Sequence, residues 1–194
     1  FRVREYSMEL AQLVTGGRKT YGNVIMGGLR RDMTDNEIKK GIEMINKLDV
    51  QISEIWDAVM DDKRQIARWK GVGVLDKQVA RDFSPVGPNM RGSGLKRDNR
   101  YDHPYDFFKN IEFKVYVEHG GDVFSREVVR YNELKESIHI IRQCLELMPQ
   151  TPISIDPKTM IKPENFALGH VEAPRGENVH WIMQGSAQKV FRWR

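Results

Sequence analysis

Two long apolar stripes constrain the fold of this chain more than any other feature of its sequence. In each stripe an apolar residue recurs every three or four positions, which is the period of an amphipathic helix. The first stripe runs from Ile38 to Val59 and follows a capping-box pattern formed by Thr34 and Glu37, and the second runs from Phe124 to Met148. Because two such helices must each cover an apolar face, we predict that they pack against each other as the core.

The remaining patterned segments indicate short β elements. Residues 111–117 alternate between apolar and polar side chains, which predicts a half-buried strand. Residues 171–194 contain two similar runs and predict a C-terminal β-hairpin. We therefore predict a mainly α fold of α+β type, with long antiparallel helices and short β elements, in a single domain over residues 1–194. Since the chain has no initiator Met and stops within a strand-like run, we expect it to be an interior fragment of a longer polypeptide.

The composition is that of a soluble globular protein, with 40% hydrophobic and 30% charged residues and a net charge of +4. No apolar run approaches the roughly 18 residues of a membrane span. The basic residues are interrupted by acidic ones and match no nucleic-acid-binding motif, so a solvated or subunit-facing surface is favoured over a nucleic-acid site. The one cysteine, Cys144, suits a reducing, cytoplasmic setting and cannot by itself form a multi-cysteine metal site. We therefore predict no metal ligands in this chain.

Residues 84–105 are rich in glycine and arginine and have neither a helical nor a strand period. A loop that has both a fixed conformation and many charges usually lies against another part of the protein or against a partner. The charged residues of this Gly/Arg-rich loop suit a network that holds an irregular segment or faces a partner. The candidates for this structural or interface role are Arg91, Asp98, Arg100, Asp102 and His103.

A second short segment places Arg175 between Pro174 and Gly176. Proline fixes one backbone dihedral and glycine permits an immediate turn, so the guanidinium projects from a rigid support. Such a group suits an anionic ligand or developing negative charge. The alternative is a structural ion pair with Glu172 or Glu177, and the segment alone favours that alternative.

Five motifs, in order along almost the whole chain, resemble those of the large subunits of nickel–iron hydrogenases. The membrane-bound, energy-converting branch, which includes formate hydrogenlyase, is the most similar, and the quinone-site subunit of respiratory complex I belongs to the same superfamily. The motifs lie at Thr15–Arg18, Gly27–Asp32, Gly87–Gly94, Arg97–Tyr105 and Glu172–Glu177.

The resemblance implies a helix-bundle subunit that buries a nickel–iron centre. In that family an Ala-Pro-Arg tripeptide lies beside the centre, which implies a catalytic role for Arg175 and cofactor contacts for Ala173 and Pro174. The family's metal ligands are two pairs of cysteines near the ends of the full subunit, so the fragment by itself should carry no cofactor and no activity. The implied partners are an iron–sulfur small subunit and membrane subunits, at the cytoplasmic, inner face of the cell membrane, with no nucleic acid and no membrane span of its own.

Two alternative functions follow from the same residues. The complex I relative lacks the cysteines and uses the equivalent cavity for a quinone headgroup, so a quinone-site subunit of a donor:quinone oxidoreductase is the second hypothesis. The Arg97–His103 segment favours the hydrogenase branch, because complex I more often has a tyrosine before the aspartate that corresponds to Asp98. A basic module that binds RNA or an acidic protein is the third hypothesis, drawn from charge alone.

Overall fold

The computed structural model describes residues 2–156, 165–185 and 189–194. The chain divides into two compact units, one formed by residues 1–58 and 138–161 and the other by residues 59–137 and 162–194. In the described part of the chain, no helix combines the length and apolar character that crossing a membrane requires.

The first unit is built on three helical segments. These are helix α1 (Arg2–Thr15), most of helix α2 (Asp35–Asp61) and the C-terminal part of helix α7 (Val123–Glu146). Two very short antiparallel strands, β1 (Val24–Ile25) and β2 (Gly28–Leu29), lie in the connection between α1 and α2.

The core of the first unit confirms the predicted packing for the parts of the two stripes that lie in this unit, and it adds the first helix to them. Its fully buried members come from all three helices, and they are Leu10, Ile45, Leu48, Ile138 and Leu145. The glycine at position 41 brings the helices close together, since a Cβ there would lie 3.2 Å from the Leu145 side chain. Removing any of these large side chains would leave a cavity in a close-packed interior.

The predicted capping box at the start of α2 is confirmed. The backbone N–H and the hydroxyl of Thr34 both donate to the carboxylate of Glu37, at 2.8 and 2.9 Å, and the backbone N–H of Glu37 donates back to the Thr34 hydroxyl. These bonds satisfy donors that a helix start otherwise leaves open. They also lower the pKa of Glu37, chiefly through the bond from the Thr34 backbone.

The second unit contains several short helices and the first half of α7. The helices are α3 (Lys63–Trp69), α4 (Lys77–Phe83), α5 (Pro88–Arg91), α6 (Asn99–Asp102) and a single 3-10 turn (Asp106–Lys109). Asp122 caps α7, because its Oδ1 accepts from the backbone N–H and the hydroxyl of Ser125, while its Oδ2 accepts from the Gly71 N–H.

The C-terminal β structure is confirmed and is larger than predicted. Strands β3 (Phe166–Ala173), β4 (Gly176–Gln184) and β5 (Val190–Trp193) form one antiparallel sheet in the order β3-β4-β5. The predicted hairpin corresponds to β4 and β5, and residues 186–188 within it lie outside the described residues. The turn between β3 and β4 is formed by Pro174 and Arg175 alone.

The strand predicted at residues 111–117 is wrong. The segment forms no strand and has no strand partner along its length. One of its apolar side chains contacts another ring instead: Phe113 packs edge-on against Phe108, with centroids 5.8 Å apart, and the Arg100 guanidinium lies over its face. The alternation of apolar and polar residues in this segment therefore reflects the packing of side chains on one of its sides, not hydrogen bonding to another strand.

Candidate functional site

The two segments singled out from the sequence meet in the second unit through their backbones. A Cβ at position 87 would lie 2.3 Å from the carbonyl oxygen of Arg175, and a Cβ at position 176 would lie 2.4 Å from the backbone nitrogen of Gly87. Gly87 and Gly176 also have positive φ angles, of +67° and +118°. Only glycine at both positions allows the loop before α5 and the β3–β4 turn to approach this closely.

Arg91, at the end of α5, lies at the centre of the site and is 1% exposed. Its Nε donates to Glu133 of α7 at 2.5 Å, and its Nη1 donates to Glu172 of β3 at 2.9 Å. The same Nη1 donates to the carbonyl oxygen of Arg97 at 2.7 Å and lies 3.6 Å from the carboxylate of Asp98. One buried guanidinium thus connects a short helix, a long helix and a strand end.

Asp98 and Arg100 form a second, adjacent ion pair at the start of α6. The Oδ1 of Asp98 accepts from the backbone N–H and the Nε of Arg100, and its Oδ2 accepts from Arg100 Nη2 at 2.7 Å. Asp102 completes the turn by accepting from the Asp98 N–H at 3.0 Å. Burial lowers the pKa of Arg100, but the hydrogen bond and charge of Asp98, together with the charges of Glu172 and Glu133, raise it by more, so the pKa lies above its ordinary value and the side chain stays charged.

Glu172 anchors the end of β3 to the same cluster. Its side chain is 4% exposed, and both carboxylate oxygens accept hydrogen bonds, one from Arg91 and the other from the backbone N–H of Asn99 at 3.2 Å. Its own backbone N–H donates to the hydroxyl of Tyr105. The position of the β3–β4 turn therefore depends on Arg91 and on the loop between α5 and the 3-10 turn.

Glu133 is more exposed than the other two carboxylates of the cluster, Asp98 and Glu172, and accepts fewer hydrogen bonds. Its side chain is 17% exposed, and its hydrogen bond from Arg91 involves Oε1. Burial raises the pKa of Glu133 above its ordinary value, and the charge and hydrogen bond of Arg91 offset only part of that rise. This glutamate is therefore easier to protonate than an exposed one.

A cleft of about 460 Å³ opens beside the cluster. Its wall combines charged groups of the cluster with the apolar start of the β3–β4 turn. The lining residues are Arg91, Arg100, Arg130, Glu133, Leu134, Ser137, Glu172, Ala173 and Pro174. A space of this size and chemistry can hold water or a small polar molecule.

Arg175 itself is exposed at the tip of the turn and has no ion-pair partner among the described residues. The two glutamates that could have paired with it are engaged elsewhere: Glu172 with Arg91, and Glu177 with Arg97 at 3.0 Å. The structure thus leaves the Arg175 guanidinium free of the structural ion pairs that the sequence alone favoured.

His103 lies at the C-terminal cap of α6 and is exposed. Its ring packs edge-on against that of His170, with centroids 5.7 Å apart, and His170 Nδ1 lies 3.7 Å from Glu177. In the described part of the chain, no three His, Cys, Asp or Glu side chains come together as metal ligands would. Burial raises the pKa of the Cys144 thiol, in the first unit, as expected for a structural cysteine.

Of the residues selected from the sequence, Arg91, Asp98, Arg100 and Asp102 come together in one cluster, and Ala173 and Pro174 line the adjoining cleft. Sequence reasoning missed Glu133 and Asn99. The only available signal for Glu133 was its place beside the apolar stripe of α7, two residues after Tyr131 and one before Leu134. That position would have predicted a partly buried carboxylate in need of a cation.

Comparisons with known proteins place the chain among redox-complex subunits. The family model described as the 49 kDa subunit of respiratory-chain NADH dehydrogenase matches residues 1–169. Formate hydrogenlyase subunit 5 of Escherichia coli (strain K12) is 41% identical over all 194 residues, which correspond to 34% of that protein. An NADH-quinone oxidoreductase subunit of Chlorobaculum parvum is 33% identical over 202 aligned residues, covering 99% of this chain and 50% of that protein.

A solved structure agrees with these sequence relatives. A chain in the structure of the membrane-bound sulfane sulfur reductase, an archaeal respiratory membrane complex, superimposes with a TM-score of 0.91 at 29% identity. The match covers 100% of this chain and 54% of that chain. The chain therefore spans between about a third and about half of the proteins it matches.

Proposed function

Because this chain belongs to the 49 kDa subunit family of respiratory-chain NADH dehydrogenase, we propose that it is part of the large subunit of an energy-converting nickel–iron hydrogenase. The whole subunit would interconvert hydrogen with protons and electrons and pass the electrons to an iron–sulfur small subunit. The observation that carries this choice is the identity to formate hydrogenlyase subunit 5, which is higher than the identity to the NADH-quinone oxidoreductase relative.

The residues present do not fit a metal-holding role. A nickel–iron centre needs several thiolates, and the sequence has the single cysteine Cys144, whose thiol is partly buried in the first unit. The ligands would have to come from parts of the parent polypeptide outside residues 1–194. This segment would instead contribute part of the surface around the centre, namely the charged cluster and the adjoining cleft.

Within this surface, we assign the functional residues to the β3–β4 turn. Ala173 and Pro174 would contact the cofactor, and Arg175 would be the catalytic residue, placing a permanent positive charge where negative charge develops. Three features support this role: the turn is fixed against Gly87, its flanking glutamates are paired elsewhere, and the guanidinium is exposed. The buried charged residues of the loop, Arg91 and Asp98, would support the turn, and the exposed His103 would face a neighbouring subunit.

The experiment uses Arg175→Lys in the full-length subunit within its complex. Lysine keeps the charge but loses the planar fork, so hydrogen turnover should fall by roughly a hundredfold, the scale for one preorganised donor, while nickel and iron content stay unchanged. Arg192→Lys, at an exposed position on β5 of the same sheet, is the matched control and should retain its turnover. Normal turnover in Arg175→Lys with full metal loading would remove Arg175 from the mechanism.

A quinone-site subunit of complex I type is the second candidate, favoured by the description of the matching family model. The two candidates differ in the parent polypeptide, since a hydrogenase needs two cysteine pairs outside this segment. Metal analysis of the purified complex, together with parallel assays of hydrogen turnover and quinone reduction, separates them. Quinone reduction without nickel would replace the hydrogenase proposal.

The partners would be an iron–sulfur small subunit and membrane subunits, with this subunit peripheral on the cytoplasmic face of the membrane. The structural neighbour in an archaeal respiratory membrane complex supports such an assembly. Co-purification of the tagged full-length subunit with the detergent-solubilised membrane fraction tests it.

A further inference from the structure

The buried ion cluster contains one more acid than base. Arg91 and Arg100 face three carboxylates, those of Asp98, Glu133 and Glu172, and the side chains of all five are 17% exposed or less. With every group ionised, the cluster would carry one uncompensated negative charge. Such a charge is costly where water is largely excluded, and uptake of one proton removes the cost.

Among the residues that the structure describes, the other charged groups near the cluster do not supply the missing cation. Arg130 lines the same cleft but is ion-paired with Glu127 on its own helix. Arg97 offers the cluster its carbonyl oxygen, while its guanidinium is paired with Glu177. Asp102 uses its carboxylate to accept the Asp98 N–H and adds no positive charge.

Hydrogen bonding decides which carboxylate takes the proton. Asp98 accepts through both oxygens from Arg100, and Glu172 accepts through both oxygens from Arg91 and Asn99, so all four of these oxygens already have a donor. Glu133 accepts only through Oε1, so Oε2 has no partner in the described part of the chain. The raised pKa of Glu133 agrees with this difference.

The cleft gives this carboxyl group access to water. Glu133 shares the wall of the cleft of about 460 Å³ with Ala173 and Pro174, and a cleft of this size has room for several water molecules. Water in the cleft can therefore reach both Glu133 and the start of the β3–β4 turn.

We propose that Glu133 is a proton-exchanging residue that connects the water of this cleft with the β3–β4 turn. Its carboxylate takes a proton from hydronium to give the carboxylic acid and water, and it returns the proton by the reverse step. The hydrogen bond from Arg91 Nε holds the carboxyl group in place. The value of this exchange for turnover rests on the proposed function, because hydrogen chemistry must deliver or remove protons.

The experiment compares three variants of the full-length subunit in its complex. Glu133→Gln keeps the oxygen that accepts from Arg91 and cannot titrate, whereas Glu133→Asp keeps a titrating carboxyl group. Glu146→Gln, at an exposed position on the same helix, is the matched control. The first readout is the carboxylic-acid carbonyl stretch in infrared difference spectra, followed as a function of pH.

We expect wild type and Glu146→Gln to gain a carbonyl band as the pH falls through a value above the ordinary glutamate range. Glu133→Gln should lack this band, and Glu133→Asp should shift it. The second readout is the pH profile of hydrogen turnover, which Glu133→Gln should lower about a hundredfold, the scale of lost acid–base catalysis, while Glu133→Asp restores part of it.

The outcomes separate this inference from the proposed function. An unchanged band and pH profile in Glu133→Gln would overturn the inference while leaving the hydrogenase assignment intact. A band that disappears in Glu133→Gln from a complex without hydrogen turnover would support the proton exchange and overturn the hydrogenase assignment. If Glu133→Gln does not assemble, a band that Glu133→Asp leaves unshifted from wild type overturns the inference.

Discussion

Replacing Arg91 by methionine should destabilise the second unit more than any other single charge change. Methionine has similar length, so the substitution removes the charge and the donors with little change in volume. It leaves Glu172, 4% exposed, with the Asn99 N–H as its remaining hydrogen-bond donor. Breaking a buried pair by removing one partner typically costs about 3–5 kcal/mol.

The cost can also be worked from protonation. If a glutamate must be neutral in the folded state, the free energy of unfolding falls by about 1.4 kcal/mol for each pH unit above the ordinary glutamate pKa near 4.3. Neutralising Glu172 therefore costs about 4 kcal/mol near pH 7.3 and about 1 kcal/mol near pH 5. Because protonation removes the stranded buried charge, the loss of stability should be small at acidic pH and should grow as the pH rises.

The measurement is urea denaturation of the purified protein at the two pH values, followed by circular dichroism. The double variant Arg91→Met/Glu172→Gln removes the stranded charge and should recover most of the loss at neutral pH. Arg97→Met is the matched control: it breaks an ion pair whose arginine is 53% exposed, so its cost should stay below about 1 kcal/mol. A loss for Arg91→Met that is under 1 kcal/mol, or equal at both pH values, would refute the reasoning.

Three further substitutions, two of them with a control variant, test other parts of the fold by denaturation or thermal melting. Asp122→Ala should cost about 2–4 kcal/mol, since it removes a helix cap and a bond across the unit. Burial raises the pKa of Asp122 and its hydrogen bonds lower it by more, so its stabilisation is present at neutral pH and lost as the pH falls below the ordinary aspartate value. Gly176→Ala should cost at least about 2 kcal/mol through strain at positive φ, while Gly169→Ala, with nothing near its Cβ, should cost none. Ile45→Ala should cost about 2–5 kcal/mol, and Ile55→Ala, which is 50% exposed, less than about 1 kcal/mol.

The longer helices were predictable because their signals are local, whereas α5 and α6 lie in the segment that the sequence predicted as an irregular loop. The break between α2 and α3 falls at Asp62, where the chain carries two aspartates in succession, and the Asp62 side chain caps α3 by accepting from two backbone N–H groups. The end of α1 falls at Thr15, before Gly16, whose φ of +81° only glycine adopts easily. Such signals lie within four residues of the boundary they set, so no tertiary information was needed.

The partners of the charged residues were not predictable, because they depend on contacts between distant parts of the chain. Glu172 pairs with a residue 81 positions away, and Arg91 pairs with Glu133 42 positions away. The sequence suggested Glu172 and Glu177 as ion-pair partners of Arg175 because it shows only which residues are close along the chain, not which are close in space. The strand predicted at residues 111–117 failed for the same reason, as a strand needs a partner that alternation cannot supply.

The cluster and the glycine contact act on the same turn from two sides. Gly87 and Gly176 set how closely the backbones approach, and Arg91 sets where Glu172, and hence the end of β3, can lie. A buried ion pair is weak evidence for stability but can fix one arrangement among several. Replacing both Arg91 and Glu172 by apolar residues should therefore preserve the stability of the second unit but leave the β3–β4 turn less fixed. The effect of the buried ion pair would then be seen in the position of Arg175 and not in folding.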